Sequence, residues 1–282
     1  MAATPSSSAS GVLREGWTLF VAGLSTAFPW VLAAELLQEL PFANPPGSIL
    51  TTDLDLYGQP GYLIRAILFG ALQALFYSVA VLKLAGRGAV WPAGLRATVS
   101  VLLGYFCYEV IVGIGLMFTF IFFIMGMFIV GPLGGLVLCI LPLIPTAGAS
   151  TALALFIFPA VLEGKWPFPA LGESSRLAKR SWVKVSLVIS VPALALLAAG
   201  VIADIPSIRH SLSTGLGMLS QAQESGVSLE QANGILAGMK AEPGSRYETW
   251  QLIGTVLGAF AWWYTLAVCY AQYRDLKAGE EA

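Results

Sequence analysis

Long stretches without a charged side chain set the pattern of this chain. Residues 16–34, 66–82, 185–203 and 249–273 are four such runs, and residues 97–162 form a fifth that carries one charge, Glu109. About 20 apolar helical residues cross the ~30 Å hydrocarbon core of a bilayer, so each of the first four runs predicts one span. The fifth is too long for one helix. It contains the break Gly-Pro-Leu-Gly-Gly at residues 131–135, which splits it into two spans joined by an uncharged turn. Pro142 and Pro145 offer a further cut, into three.

Charge decides between six and seven spans. With six, the inner segments hold Arg14, Lys83, Arg87, Arg96, Lys165, Arg176, Lys179, Arg180, Lys184, Arg274 and Lys277, and the outer segments only Arg65, Arg209, Lys240 and Arg246. Eleven bases inside against four outside is the asymmetry expected of a membrane protein, and seven spans would turn residues 165–184 outward. The expected fold is therefore an all-α integral membrane protein with spans at about 16–37, 64–83, 97–128, 135–162, 184–203 and 249–273. A disordered, Ser/Ala-rich tail is expected over residues 1–12, the membrane domain over 13–274, an outer loop over 204–248 and a cytoplasmic tail over 275–282. Trp17, Trp91, Trp166, Trp182, Tyr270 and Tyr273 fall near inner ends, and Trp30, Tyr62 and Trp250 near outer ends. Trp262 and Trp263 lie inside the last span, where helix packing is the simplest role, beside a small-xxx-small pair, Gly254 and Gly258.

A weak repeat of about 80 residues runs through the chain. Leu13-Arg14, Leu95-Arg96 and Arg176-Leu177 each precede an outgoing span followed by a returning one, so the six spans read as three hairpins. Ala80-Val81-Leu82 leads to Trp91-Pro92 as Ala160-Val161-Leu162 leads to Trp166-Pro167. Residues 169–182 suit a short interfacial elbow helix: Ala170, Ser174, Ala178 and Trp182 share one face and Glu173, Arg176 and Arg180 another. Arg176, Lys179, Arg180 and Lys184 are its candidate contacts to anionic lipid, with ordinary topology-setting charge as the plainer role. In the outer loop, Ser228 with Gln231 resembles a capping box before Leu229, Ala232, Leu236 and Met239, and Ile208, Leu212, Leu216 and Leu219 suggest a second short helix.

Composition narrows the function. Hydrophobic residues make up 57% of the chain and charged residues 11%, and the net charge of -1 supplies no basic field for nucleic acid. Cys107, Cys139 and Cys269 sit singly in apolar runs, and the one histidine, His210, has no neighbouring ligand, so neither a disulfide framework nor a metal site is expected. No nucleophile elbow, Walker loop or metalloprotease helix is present, and Gly113-Ile114-Gly115 lacks the third glycine of a dinucleotide loop, so neither cofactor nor enzymatic activity is expected. The outstanding polar position is Glu109, about 12 residues into the third span and so expected near the bilayer centre. Gln73, Tyr105 and Tyr108 are the candidate hydrogen-bonding partners, with a Glu109–Gln73 contact as the specific expectation. Glu35 and Arg65 are assigned to the outer boundary, where long side chains snorkel.

The middle of the chain resembles the YciC-like family of uncharacterised bacterial inner-membrane proteins. The resemblance covers about residues 83–203. It rests on Ala93-Gly94-Leu95-Arg96-Ala97 opening the third span, Phe158-Pro159-Ala160-Val161-Leu162-Glu163 closing the fourth, and Ala170-Leu171-Gly172-Glu173-Ser174-Ser175-Arg176-Leu177 with Trp182 as the serine-arginine elbow. The Gly- and Phe-rich stretch at 118–135 departs from the family pattern. The resemblance implies a six-span protein of the bacterial inner membrane and carries no catalytic residues, while the charge asymmetry puts both termini on the cytoplasmic side. The expected role is non-enzymatic, in envelope organisation, lipid handling or support of a membrane complex, with membrane lipids and an unidentified membrane protein as partners. The alternative is a small transporter using Glu109.

Overall fold

A computed structural model describes residues 8–38, 60–88, 90–200, 202 and 245–281. Among these residues the chain is helical and no strand occurs. In chain order the helices are α1 (Ala9–Gly23), α2 (Phe28–Gln38), α3 (Pro60–Leu84), α4 (Val90–Val130), α5 (Pro132–Leu153), α6 (Ile157–Leu162), α7 (Pro167–Arg180), α8 (Trp182–Gly200) and α9 (Ser245–Glu281). Five stretches are long and apolar enough to cross a membrane, α5 and α6 together forming one of them; the number is six if α1 and α2 count as one broken span. The outer-loop helices expected around Ile208 and Leu229, with His210, lie outside the described residues.

The first expected span departs most from a straight helix. α1 and α2 meet at 82°, across the turn at Leu24, Ser25, Thr26 and Ala27. α1 starts at Ala9, inside the expected tail, because the Ser8 hydroxyl caps it by accepting the Gly11 N–H at 3.2 Å. α1 packs along α9: Val12 shares a small apolar cluster with Val188, Val268 and Ala271, and the Trp263 indole donates to the Phe20 carbonyl at 2.9 Å. Both Trp262 and Trp263 serve helix packing, whereas Gly258 faces open space and brings no helix close. α2 turns across α3, so Trp30 meets Trp91 edge to face with ring centroids 5.2 Å apart. The two had been expected at opposite ends of the bundle, and the bend is why they are not.

α4 is a 41-residue helix, ~60 Å long at 1.5 Å per residue, and with α5 it forms the central hairpin. The turn is one residue, Gly131, with φ +88°, a conformation glycine adopts without a Cβ clash. Gly104, Gly115 and Gly126 recur every 11 residues, three helical turns, and so lie along one line of α4. A Cβ at these positions would stand 2.8 Å from Phe156 Cδ2, 2.7 Å from Thr146 Cγ2 and 2.7 Å from Gly135 Cα. The glycine line thus sets the antiparallel register. Pro142 and Pro145 sit inside α5 without ending it, so the three-way cut does not occur.

The sequence repeat has a structural counterpart. Ala80, Val81 and Leu82 end α3 in the core as Ala160 and Val161 end α6, and each run is followed by a glycine with positive φ, Gly86 at +70° and Gly164 at +66°. The third repeat unit opens with α7 and breaks at Ser181 before α8, the first opens with α1 and breaks before α2, and in the middle unit the corresponding stretch is continuous with α4. The C-terminal segment expected as a tail continues α9 to Glu281, held by ion pairs described below.

Candidate functional site

Two polar arrays stand out in an otherwise apolar molecule. The first lies inside the bundle. Glu35 on α2 and Tyr77 on α3 are 8% and 5% exposed, and the Tyr77 phenol donates a hydrogen bond to Glu35 Oε1. Gln73 lies one turn earlier on α3 and is partly buried. Tyr105 of α4 and Trp262 of α9 enclose the pair, with ring centroids 6.2 and 6.4 Å from that of Tyr77. Tyr105 packs edge to face on Phe156 at 5.1 Å, and Tyr108 shares a 2.7 Å hydrogen bond with Ser150 across the central hairpin.

Glu109 does not join this array. Its side chain is on the exposed face of α4, beside the exposed Phe106 and Val110, and no hydrogen bond connects it to Gln73. The expected Glu109–Gln73 hydrogen bond does not occur among the described residues, and the carboxylate that meets Tyr77 is Glu35. The reason is the direction of the glycine line: α4 turns Gly104 toward Phe156 and the core, and Glu109, five residues on, points elsewhere. Glu35, expected to snorkel at the outer boundary, is buried within the bundle. Gln272 of α9 is fully buried, with no hydrogen-bond partner for either amide atom among the described residues.

The second array joins α7, the end of α9 and the α6–α7 connection. Arg176 pairs with Glu173 at 2.8 Å and with Glu280 at 2.5 Å; Lys277 pairs with Glu173 at 2.6 Å and Glu163 at 3.0 Å. Lys165 pairs with Glu163 at 2.6 Å, Lys184 with Asp275 at 2.5 Å, and Arg180 with Glu280 at 3.1 Å. Arg274 meets Glu15 of α1 at 3.3 Å. The Arg176 guanidinium, with Lys277 and Lys165 behind it and against the cost of partial burial, holds the Glu173 carboxyl down at about 2. Partial burial pushes Glu163 the other way, yet hydrogen bonds from Lys165, Tyr273 and Lys277 keep it below the usual carboxylate range. Glu173 and then Glu280 raise Arg176.

Of the four bases set aside for lipid, Arg176, Arg180 and Lys184 are thus engaged by acids of α7 and α9, and Lys179 is exposed without an ion pair. Glu173 shares the Arg176 face as helical spacing predicts, whereas Asp275 and Glu280 lie 91 and 104 residues from Lys184 and Arg176, and only the folded chain brings them together. Ser174 is a further anchor: its hydroxyl donates to the Ala152 carbonyl at 2.7 Å and accepts the Leu155 N–H at 3.1 Å. No group of three metal-capable side chains occurs among the described residues. Models of protein families, curated proteins and solved structures yield no match to the chain.

Proposed function

We propose that the chain is a multi-pass protein of the bacterial inner membrane, with both termini cytoplasmic and a non-enzymatic role in envelope organisation, lipid handling or support of a membrane complex. The observation that carries this reading is the central hairpin. From 110 to 153 it has no charged side chain, and its outward positions are apolar up to the turn, where Phe128 is 88% and Leu133 77% exposed. Such a surface is stable against acyl chains and not against water.

The hairpin also revises the role of Glu109. Counted down from Val130, Glu109 is 21 residues away, ~31 Å, the thickness of the hydrocarbon core. With the turn at one membrane face, this carboxylate reaches the opposite one, where it is hydrated at little cost. Transport through Glu109 therefore loses its physical motive. The test is reconstitution into lipid nanodiscs with mass spectrometry of bound lipids and copurifying proteins, for the parent protein and Glu109→Ala. Selective enrichment of a lipid or a membrane protein, unchanged by the substitution, is expected. A bulk-lipid profile without a partner, together with ion or solute flux abolished by Glu109→Ala, would overturn the reading.

A further inference from the structure

We propose that the outward face of α7, from Trp166 to Trp182, is a docking surface for anionic phospholipid headgroups, with Lys179 and Arg180 as the phosphate-binding bases. The proposal rests on the membrane reading above and names its lipid partner.

The helix has a fixed orientation. Ala170, Leu171, Ser174, Leu177 and Ala178 are buried in the bundle, and the two Ser174 hydrogen bonds pin α7 to the break between α5 and α6. The opposite face is therefore committed outward. Its charge is unbalanced in one place. Lys165, Arg176, Lys184 and Lys277 are matched by Glu163, Glu173, Asp275 and Glu280. Arg180 shares only Glu280, which Arg176 already engages, and Lys179 has no acid partner among the described residues. Six bases against four acids leave the excess positive charge at Lys179 and Arg180, at the C-terminal end of the helix.

The same face carries apolar anchors. Trp166 is 67% and Phe168 75% exposed at the start of α7, and Trp182 is half-exposed just past its end. These rings bracket a helix of 14 residues, ~21 Å, and the two at its start have no aromatic partner among the described residues. Exposed aromatic rings at one end of a helix whose other end carries excess positive charge suit the headgroup boundary of an anionic leaflet, where rings meet acyl chains and bases meet phosphate. An acidic soluble protein would satisfy the bases and leave the rings in water; a zwitterionic lipid would cover the rings without supplying net negative charge.

The experiment places the full chain in nanodiscs of equimolar phosphatidylglycerol and phosphatidylcholine and counts the lipids retained by native mass spectrometry. At least threefold enrichment of phosphatidylglycerol is expected for the parent protein. Lys179→Gln with Arg180→Gln should bring the ratio close to one, whereas Lys83→Gln with Arg96→Gln, two exposed bases elsewhere, should preserve most of the enrichment. A photoactivatable phosphatidylglycerol should label residues 166–182 of the unsubstituted chain, which tests the surface without any variant. A ratio of one for a protein that resists alkaline extraction overturns the docking surface and leaves the membrane reading intact. Equal loss in the Lys83/Arg96 variant, or labelling confined to other segments, overturns it as well. Extraction of the protein by alkaline carbonate would instead defeat the membrane reading itself.

Discussion

The central hairpin and the α7–α9 base hold themselves together in opposite ways. Along the hairpin, α4 meets α5 through Gly115 and Gly126 and the α5–α6 connection through Gly104, with hardly a polar contact beyond the bond between Tyr108 and Ser150. At the base, Glu173, Arg176, Lys277 and Glu280 interlock in ion pairs. The difference follows from the solvent each region meets. Lipid offers no hydrophobic drive between helices, so attraction there depends on close approach and dispersion. Near water, charges are cheap to keep and fix register, although each pair contributes little.

The sharpest way to break this comparison is to fill the glycine line. Gly126→Val would drive its side chain into the backbone of Gly134 and Gly135, which cannot rotate away. A loss of about 3 kcal/mol is expected, at the upper end of overpacking, read as a fall in thermal midpoint and in monodisperse yield in detergent. Gly113→Ala supplies the control, because nothing lies within 4 Å of its Cβ position. It should be neutral or gain up to about 1 kcal/mol from helix propensity. If both variants match the parent protein, the hairpin is not held by close approach.

Tyr77→Phe is the next in size. It takes the phenolic donor from Glu35 within a bundle that gives the carboxylate little access to water. A loss of up to about 1.5 kcal/mol is expected, as for other side-chain hydrogen bonds. In a double-mutant cycle with Glu35→Gln, additive losses would show that the pair contributes nothing of its own.

How much of this was legible before folding differs by region. The apolar runs, the break at residues 131–135 and the buried Ala170, Ser174 and Ala178 of α7 follow from composition and helical spacing, because lipid and the 3.6-residue turn act locally. Trp182, grouped with that face by spacing, is instead half-exposed, since the helix ends at Arg180. The bend at Leu24–Ala27 was hidden because an uninterrupted apolar run suits a broken helix as well as a straight one. Gly23 and Pro29, on either side of it, are the local signal. The bend also brings Trp30 onto Trp91, which distance along a straight helix sets apart. The third span extends further than its composition suggests, since α4 begins at Val90 and runs unbroken to Val130. The 11-residue glycine spacing was readable in principle, since it returns to one helix face after three turns.

A smaller effect, of opposite sign, is expected at Gln272. Its amide is fully buried and no described residue hydrogen-bonds it, so Gln272→Met exchanges an uncompensated polar group for an apolar one of similar volume. The thermal midpoint should rise, by the equivalent of about 1 kcal/mol. A fall would show that the amide has a partner that stabilises the native bundle.

The smallest effect separates the two regions by acid. Glu173 titrates at about 2 in the folded protein against an ordinary value of 4.5, so its contribution is fully present above pH 4.5 and is lost as pH falls toward 2. Glu163, depressed in the same cluster, acts in the same direction. Arg176 is about half-exposed and its pairing is screened, which limits the contribution to about 1 kcal/mol or less. Thermal midpoints measured from pH 7 to pH 3 should therefore decline in the parent protein. Glu173→Gln should start lower, decline less and approach the parent curve at the acid end, and 0.5 M salt should narrow the gap at pH 7. The hairpin control Gly113→Ala should keep the parent slope, because between residues 110 and 162 the chain carries no acid, base or tyrosine. Parallel curves for Glu173→Gln and the parent would mean that the ion pairs at the base set no part of the stability and that close packing alone holds both regions.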